Sequence, residues 1–244
     1  MKVTADGLRL DIPRERSTGF YLNEDPSSKL AVASGYAPDD IILSGLVFYA
    51  PLYRFQALKF NSVDPYKHLC TRTEGTWGTQ GITMDGTNDF IDVGNPTVLQ
   101  ITGAITVGAW IKTTSLNRTL AKWATTGNQR QFELQTRYWV ITTNGITEIY
   151  REYGTLVRDG AWHHLVGTFY PSTNLDIYID GALDNGALGG VIPATLFNSS
   201  ANVYIGRMEA SYYTGIVDQV MIYNRMLTAG EIAHIYNTTK GRYL

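Results

Sequence analysis

From residue 46 onward, the chain is a succession of short apolar segments separated by glycine, asparagine and aspartate. The segments are rich in β-branched and aromatic residues, which favour strands. Strands are predicted at LVFYA (46–50), GITM (81–84), FIDVG (90–94), AITVGAWI (104–111), TLAKWA (119–124), QFEL (131–134), YWVIT (138–142), TEIY (147–150), WHHLVGTF (162–169), LDIYI (175–179), NVYIG (202–206) and IVDQVMIY (216–223). Asp180-Gly181 can close a hairpin, because both residues tolerate positive φ. The pattern predicts an all-β, two-sheet antiparallel sandwich or jelly roll.

One short C-terminal helix is predicted in LTAGEIAHIYN, residues 227–237. Thr228 can cap the first turn, and Glu231 three residues later can complete a capping box. Leu227 can pack on Ile232 as a hydrophobic staple. The apolar stripe that continues along the same face indicates a helix lying against the sandwich.

The composition changes near residue 45. All five tryptophans lie beyond this point, whereas residues 1–44 are polar and contain few aromatic residues. Residues 8–12 alternate between apolar and charged until Pro13, which suits a short strand that needs a partner. We predict an extended N-terminal arm over 1–44, used as an assembly contact, and one domain over 45–244; a disordered tail is the alternative for the arm.

The composition narrows the classes of partner. With 244 residues and 44% hydrophobic content, the chain can bury the core of one main domain. A formal net charge of -2 provides no basic field for phosphates, so no nucleic-acid partner is expected. The single cysteine, Cys70, excludes an internal disulfide. The sequence contains neither a membrane-spanning apolar run nor the apolar core of a secretory signal, so we expect synthesis in the cytoplasm without a signal peptide.

His163 and His164 are neighbours in AWHHLVGTFY. Successive side chains of a strand point to opposite faces, so the two imidazoles cannot both ligate one metal ion. One ring is expected to face the core as a hydrogen-bonded neutral imidazole, and the other to face solvent or the second sheet. The pair is therefore predicted to belong to a scaffold strand.

Five segments occur in a characteristic order: GITMDGTNDFIDVG, ITVGAWIKTTS, AWHHLVGTFY with LDIYIDGAL, NVYIGR and GIVDQVMIYNRMLTAGEI. Together they resemble the laminin-G-like branch of the concanavalin A-like lectin and glucanase superfamily, over residues 46–236. The resemblance implies a jelly roll of two curved antiparallel sheets. It also implies that WHHLVGTF and LDIYIDG are neighbouring framework strands and that VMIYNRMLTAGEI forms the closing strand and helix.

Catalysis is not expected. The resemblance to the superfamily's glucanases implies acids in a Glu-x-Asp-x-Glu strand, whose spacing would place three carboxylates on one face, and this sequence has no such triplet. Glu133, Glu148 and Glu152 are interpreted as surface carboxylates without same-face pairing. No GxSxG elbow is present.

The loop DGTND, residues 85–89, supports two interpretations. It can be a tight turn in which Asp85 and Asn88 bind their own backbone. Alternatively, since some laminin-G-like domains bind calcium at the rim, the resemblance implies a calcium site that uses Asp85, Asp89 and Asp218. The protein is expected to require no cofactor, with calcium as the candidate ion.

A sugar site needs an aromatic platform and polar groups on a face or rim of the sandwich. The candidates are Tyr138 and Trp139 on one strand and Tyr212 and Tyr213 in EASYYTG.

We therefore predict a non-catalytic jelly-roll module in a phage or virus virion, as a capsid decoration or tail-associated protein. The segment from LVFYAPLY to HLCTRTEGTWGTQGITMDGTNDFIDVGN also resembles laminin-G-like proteins seen near phage structural genes. The arm would contact other virion proteins, the module would be oligomeric in its assembly, and it would bind cell-surface glycans. A free carbohydrate-binding lectin and a glucanase-like hydrolase are the alternatives.

Overall fold

The computed structural model describes residues 41–55, 57–116 and 118–244, so the predicted arm lies outside the described residues except for its last four positions. One α-helix, α1 (Ala229–Thr239), and 3-10 turns at Thr97–Leu99, Thr126–Asn128 and Lys240–Arg242 accompany the strands in these ranges. The strands are β1 (Leu46–Ala50), β2 (Lys59–Asn61), β3 (Leu69–Thr73), β4 (Thr76–Gly78), β5 (Gly81–Asp85), β6 (Phe90–Gly94), β7 (Ile105–Lys112), β8 (Arg118–Ala124), β9 (Gln129–Gln135), β10 (Tyr138–Thr142), β11 (Glu148–Tyr153), β12 (Trp162–Tyr170), β13 (Asn174–Ile179), β14 (Ala182–Leu183), β15 (Asn185–Gly189), β16 (Val203–Ile205), β17 (Arg207–Met208), β18 (Ser211–Tyr212) and β19 (Thr214–Tyr223).

Two large antiparallel sheets form the sandwich. Sheet A has the order β14-β13-β12-β7-β19-β5-β4, with β1 also paired to β19. Sheet B has the order β15-β11-β10-β9-β8-β16-β6-β3-β2, and β17 and β18 form a separate small hairpin. The predicted all-β sandwich with one short C-terminal helix is confirmed, as is the pairing of WHHLVGTF with LDIYIDG, which are β12 and β13.

The core lies between the two sheets and follows the period-two pattern. In β7, Val107, Ala109 and Ile111 all point inward and are fully buried. Trp139 crosses from sheet B to a position beside Gly167, where a Cβ atom would lie 2.5 Å from the indole. Each fully buried large side chain of this kind stabilises the fold by roughly 1.5–3 kcal/mol.

The outer face of sheet A is covered by α1. Ile232 and Ile235 of the helix share a buried cluster with Tyr49, Val166 and Tyr223 of the sheet. Ile41, the first described residue, belongs to the same cluster and is 5% exposed. The chain therefore joins the sandwich on the sheet A side. Among the described residues, no helix is long and apolar enough to cross a bilayer.

The start of α1 is specified locally, as the sequence predicts. The Thr228 hydroxyl accepts a hydrogen bond from the Glu231 nitrogen at 3.2 Å, and the Glu231 carboxylate accepts one from the Thr228 nitrogen at 2.8 Å. Leu227 and Ile232 lie in the same buried cluster, in agreement with the predicted staple. Arg225 binds Glu231 at 2.6 Å, and this bond lowers the pKa of the carboxyl to about 2.

Candidate functional site

The candidate site lies on the outer face of sheet B. In β16, Val203 and Ile205 are fully buried in the core, so the intervening Tyr204 points to the opposite face. The same alternation in β6 buries Ile91 and places Phe90 on the outer face. There the Phe90 and Tyr204 rings meet edge to face, with centroids 5.7 Å apart.

The β17–β18 hairpin lies over this face. Two main-chain hydrogen bonds fix its base at Gly206, whose nitrogen donates to the Thr119 carbonyl at 2.9 Å and whose carbonyl accepts from the Tyr213 nitrogen at 2.8 Å. Gly206 has a φ of 78°, and an added Cβ atom would lie 2.2 Å from the Met84 sulfur. Met208 of the hairpin packs against the cluster formed by Ala121, Trp123 and Val140.

Between the hairpin and the sheet lies a pocket of about 420 Å³, which we call the aromatic pocket. Its volume is within the range of sites that bind small molecules. The residues that line it are Trp123, Ala124, Thr126, Tyr204, Arg207, Glu209, Ala210 and Tyr212.

Arg207 is held in a fixed orientation at this pocket. Its guanidinium carbon lies 4.6 Å from the Phe90 ring centroid, 5.1 Å from Tyr204 and 5.7 Å from Tyr212. Its Nε atom donates to the Glu209 carbonyl at 2.8 Å. Cation–π contacts and this hydrogen bond together orient the guanidinium before any ligand binds.

Glu209, at the tip of the hairpin, is held from the other side of the pocket. Its φ is 54°, in the left-handed region that a non-glycine residue adopts at a cost of about 1 kcal/mol or more. Its carboxylate accepts hydrogen bonds from the Thr125 nitrogen and hydroxyl. These hydrogen bonds, with a smaller contribution from the charge of Arg130, lower the pKa of the Glu209 carboxyl.

The structure divides the four aromatic residues predicted as a glycan platform into two pairs. Tyr212 lines the aromatic pocket. Tyr138 lies on the same outer face, where its ring is 5.1 Å from Tyr150. Trp139 and Tyr213 are fully buried in the core, and the Trp139 nitrogen donates to the Thr168 carbonyl at 3.1 Å. Their rings are unavailable to a surface ligand, so the prediction is corrected to exclude Trp139 and Tyr213, whereas Tyr138 and Tyr212 stay predicted.

The three aspartates predicted for calcium do not come together. Asp85 and Asp89 share one turn, in which Asp89 accepts from the Asp85 nitrogen at 2.9 Å and Asp85 accepts from the Thr87 nitrogen at 2.7 Å. Asp218 is fully buried and accepts from the Tyr243 hydroxyl at 2.8 Å. Asp85 pairs with Thr214 of β19. Thr214 lies four residues from Asp218 along this strand, a separation of roughly 13 Å. In the part of the chain that the structure describes, no group of three or more His, Cys, Asp or Glu residues could hold a metal ion. The set is therefore corrected to exclude Asp218, and calcium at the turn stays a prediction.

The interpretation of Glu133, Glu148 and Glu152 also needs correction. Val140 of β10 pairs with Glu133 on one side and with Tyr150 on the other, so these three side chains share one face of sheet B. Glu148 and Glu152 each lie two residues from Tyr150 along β11 and point to the same face. The three carboxylates therefore share the outer face of sheet B. Glu133 is only 2% exposed, and burial raises the pKa of its carboxyl. It accepts hydrogen bonds from Arg118 at 2.8 Å and Gln135 at 2.9 Å.

The two histidines point to opposite faces of β12, as the alternation predicts. His163 binds Asp180 at 2.9 Å and Asp159 at 3.2 Å, and the Asp180 contact raises the pKa of the imidazole. His164 is fully buried, but neither of its ring nitrogens has a hydrogen-bond partner. The expected hydrogen bond to the buried ring is therefore absent, because the ring lies among aromatic side chains.

Sequence reasoning missed Arg207, Glu209, Trp123 and Tyr204. The outward position of Tyr204 follows from the alternation of VYI, which could have indicated it. Arg207 and Glu209 carry no such signal, because the turn at Glu209–Ala210 lacks the glycine or asparagine that usually marks a two-residue hairpin.

Residues 85–233, more than half of the chain, match the family model of the concanavalin A-like lectin/glucanases superfamily. A comparison with curated proteins found no match. The fold is similar to the binding domain of Paraclostridial Mosquitocidal Protein 1, with a TM-score of 0.59 and 13% identity over 79% of this chain and 52% of that chain. A botulinum neurotoxin type C structure, described with cell entry that depends on two ganglioside molecules, has a TM-score of 0.60 and 11% identity, over 79% of this chain and 51% of that chain. Trypanosoma rangeli sialidase in complex with sialic acid has a TM-score of 0.58 and 17% identity, over 79% of this chain and 32% of that chain. The chain spans about half or a third of these proteins, and at such identities the likeness concerns the fold.

Proposed function

Because the chain belongs to the concanavalin A-like lectin/glucanases superfamily, we propose that it is a non-catalytic module that binds a glycan in the aromatic pocket. The observation that carries this proposal is the composition of the pocket. Tyr204 and Tyr212 supply aromatic rings to its lining, and Arg207 and Glu209 supply charged side chains. A sugar needs both, since its apolar ring face packs on aromatic side chains and its hydroxyls need directed hydrogen bonds.

The similar structures support the same class of ligand. The neurotoxin is described with gangliosides and the sialidase with sialic acid, and both ligands are glycans or sugars. These are properties of the neighbours, of which this chain spans only a part. They favour a glycan over a peptide or nucleotide as the first ligand to test.

Binding of the full chain to a glycan array tests the proposal. We expect one or a few related glycans to bind, and Tyr212→Ala to weaken their binding up to about 10-fold, because an aromatic contact contributes roughly 0.5–1.5 kcal/mol beyond the area that it buries. Tyr170→Ala is the matched control, since Tyr170 is a 51% exposed tyrosine at the end of β12 in sheet A. The absence of binding to any glycan, or equal binding by the two variants, would contradict the proposal.

A virion is the proposed setting of this module, with the N-terminal arm as its anchor. The polar composition of residues 1–44 supports an assembly contact. The described chain begins at Ile41, which is packed on the sheet A side, whereas the aromatic pocket lies on the outer face of sheet B. A module fastened through its N-terminal side would thus present the pocket on its opposite face.

Deleting residues 1–40 tests the anchor and keeps the apolar residues Ile41, Ile42 and Leu43, which pack against the cluster beneath α1. We expect the shortened protein to fold and to bind its glycan. We also expect it to lose the association between copies, or with other virion proteins, that the full chain shows in analytical ultracentrifugation. Unchanged association would contradict the anchoring role.

A hydrolase is the competing proposal, and Glu133 is the observation that favours it. A desolvated carboxyl with a raised pKa is what a glycosidase uses as its general acid. Against this, the carboxylate is occupied by Arg118 and Gln135. Release of reducing ends from the bound glycan, abolished by Glu133→Gln, would establish the hydrolase and overturn the non-catalytic proposal.

A further inference from the structure

The guanidinium of Arg207 is oriented, yet it is only partly used. Its Nε atom is bound to the Glu209 carbonyl, and its plane lies among three aromatic rings. In the described part of the chain, neither of its two terminal nitrogens makes a hydrogen bond. Neither nitrogen is among the fully buried polar atoms without a partner. They are therefore open to solvent at the wall of the aromatic pocket.

The neighbouring acids are engaged elsewhere. Glu209, the carboxylate that lines the pocket, accepts hydrogen bonds from the nitrogen and hydroxyl of Thr125. Asp92, which pairs with Tyr204 across β6 and β16, accepts from the Gly94 nitrogen at 2.7 Å and from Asn202 at 3.1 Å. Among the described residues, no salt bridge neutralises Arg207.

A second cation lies close to the pocket. The guanidinium carbon of Arg130 is 5.7 Å from the ring of Trp123, which lines the pocket, and its charge helps to lower the pKa of the Glu209 carboxyl. Arg130 also forms a salt bridge with Glu148 at 3.9 Å, and the Glu148 side chain is half exposed. Arg207 is therefore the cation that lines the pocket, and Arg130 lies beside Trp123 with Glu148 as its own partner.

We propose that Arg207 makes the aromatic pocket selective for an acidic sugar, whose carboxylate it binds through its two terminal nitrogens. A planar carboxylate matches the paired N–H groups of a guanidinium, and such charge-assisted bonds are stronger than neutral ones. Tyr204 and Tyr212 would then contact the sugar ring beside the acid group. This inference rests on the proposed glycan-binding function and names the class of glycan.

Two sets of related glycans, each with neutral and acidic members, test the inference on the full chain. Lactose, sialyllactose and sulfolactose share a neutral core, and galactotriose and trigalacturonic acid form a second pair that differs only in carboxylates. We expect the carboxylate-bearing member of at least one set to bind about 10-fold or more tightly than its neutral counterpart. Arg207→Gln should remove this difference, and Arg207→Lys should restore part of it, because lysine keeps the charge without the paired donors.

Arg54→Gln is the control, because it removes the same charge from another arginine that stacks on a tyrosine, 5.2 Å from the Tyr53 ring. It should leave the preference for the acid unchanged, and thermal unfolding of each variant should show that it is folded.

Equal binding of neutral and acidic sugars that is sensitive to Tyr212→Ala but not to Arg207→Gln would overturn this inference and leave glycan binding intact. Preference for sulfolactose over sialyllactose would overturn the carboxylate assignment. Binding of no sugar at all would overturn both proposals.

Discussion

The imidazole of His164 lies 5.2 Å from the indole of Trp110, between sheet A and the C-terminal segment, with neither ring nitrogen bound. Trp110 satisfies its own nitrogen by donating to the Thr239 hydroxyl at 2.9 Å. Burial of the unpartnered imidazole lowers its pKa to about 4. The folded protein therefore keeps this ring neutral at pH values where the unfolded chain protonates it.

We predict that His164 makes the fold sensitive to acid. Since the pKa of His164 is about 4 in the folded state and about 6.5 in the unfolded state, the unfolded chain binds the extra proton between these values. The free energy of unfolding should thus fall as pH drops from about 6.5 to about 4, by about 3 kcal/mol from this residue, and level off below. His164→Phe, which keeps an aromatic ring and loses no hydrogen bond, should flatten this decline in urea unfolding series.

His163 provides the control for that experiment, because its pKa is shifted the other way. Its bond to Asp180 raises the pKa, so its stabilisation is complete below the unfolded value and disappears as pH rises through the folded value. His163→Gln should therefore lower stability mainly on the acid side and make the decline steeper. A decline that persists unchanged in His164→Phe would show that another group causes it.

Lys122 is a second buried polar group with an unfavourable position. Its side chain is fully buried, its Nζ atom donates to the Asn95 side chain, and burial lowers its pKa to about 8. At pH 7 most molecules carry a buried charge at Lys122, with which no carboxylate of the described residues forms a salt bridge. Lys122→Met should raise the free energy of unfolding at pH 7 by about 1–3 kcal/mol, because an apolar chain of similar length removes the desolvation cost.

The size of this effect depends on pH. The folded pKa of Lys122 lies below the unfolded value, so the cost of the lysine is complete below about 8 and declines as pH rises toward about 10.5. Urea unfolding of both proteins at pH 7 and pH 10 measures the difference. Equal stability at pH 7, or a larger gain at pH 10 than at pH 7, would show that the buried charge is not the cause.

The sequence predicted the elements whose cause is local. Thr228 and Glu231 mark the start of α1 because a capping box needs only residues within one turn. Asp180 and Gly181 both adopt positive φ in a two-residue hairpin for the same reason. Strands of two or three residues, such as β4 and β14, were missed, because only pairing with a neighbouring strand defines them.

The site was harder to predict, because alternation shows that one of two neighbours faces inward but not which one. Tyr138 and Trp139, like Tyr212 and Tyr213, form adjacent pairs of which one ring is buried and the other is not. The choice depends on distant contacts, and for Trp139 the deciding one is the space left by Gly167 in the facing sheet. No local pattern in the sequence contains that information.

Gly206 ties the stability of the fold to the aromatic pocket. Its φ of 78° and the 2.2 Å approach of an added Cβ to Met84 mean that Gly206→Ala must strain the backbone and displace a core side chain. We expect it to lower the free energy of unfolding by about 1–3 kcal/mol and, by shifting the base of the hairpin that carries Arg207, to weaken glycan binding more than Tyr212→Ala does. Gly103→Ala is the control, since a Cβ there meets no atom within 4 Å. Thermal unfolding and glycan titration of both variants measure these effects. If Gly206→Ala binds glycan as tightly as the natural protein, the position of the hairpin does not determine the geometry of the pocket.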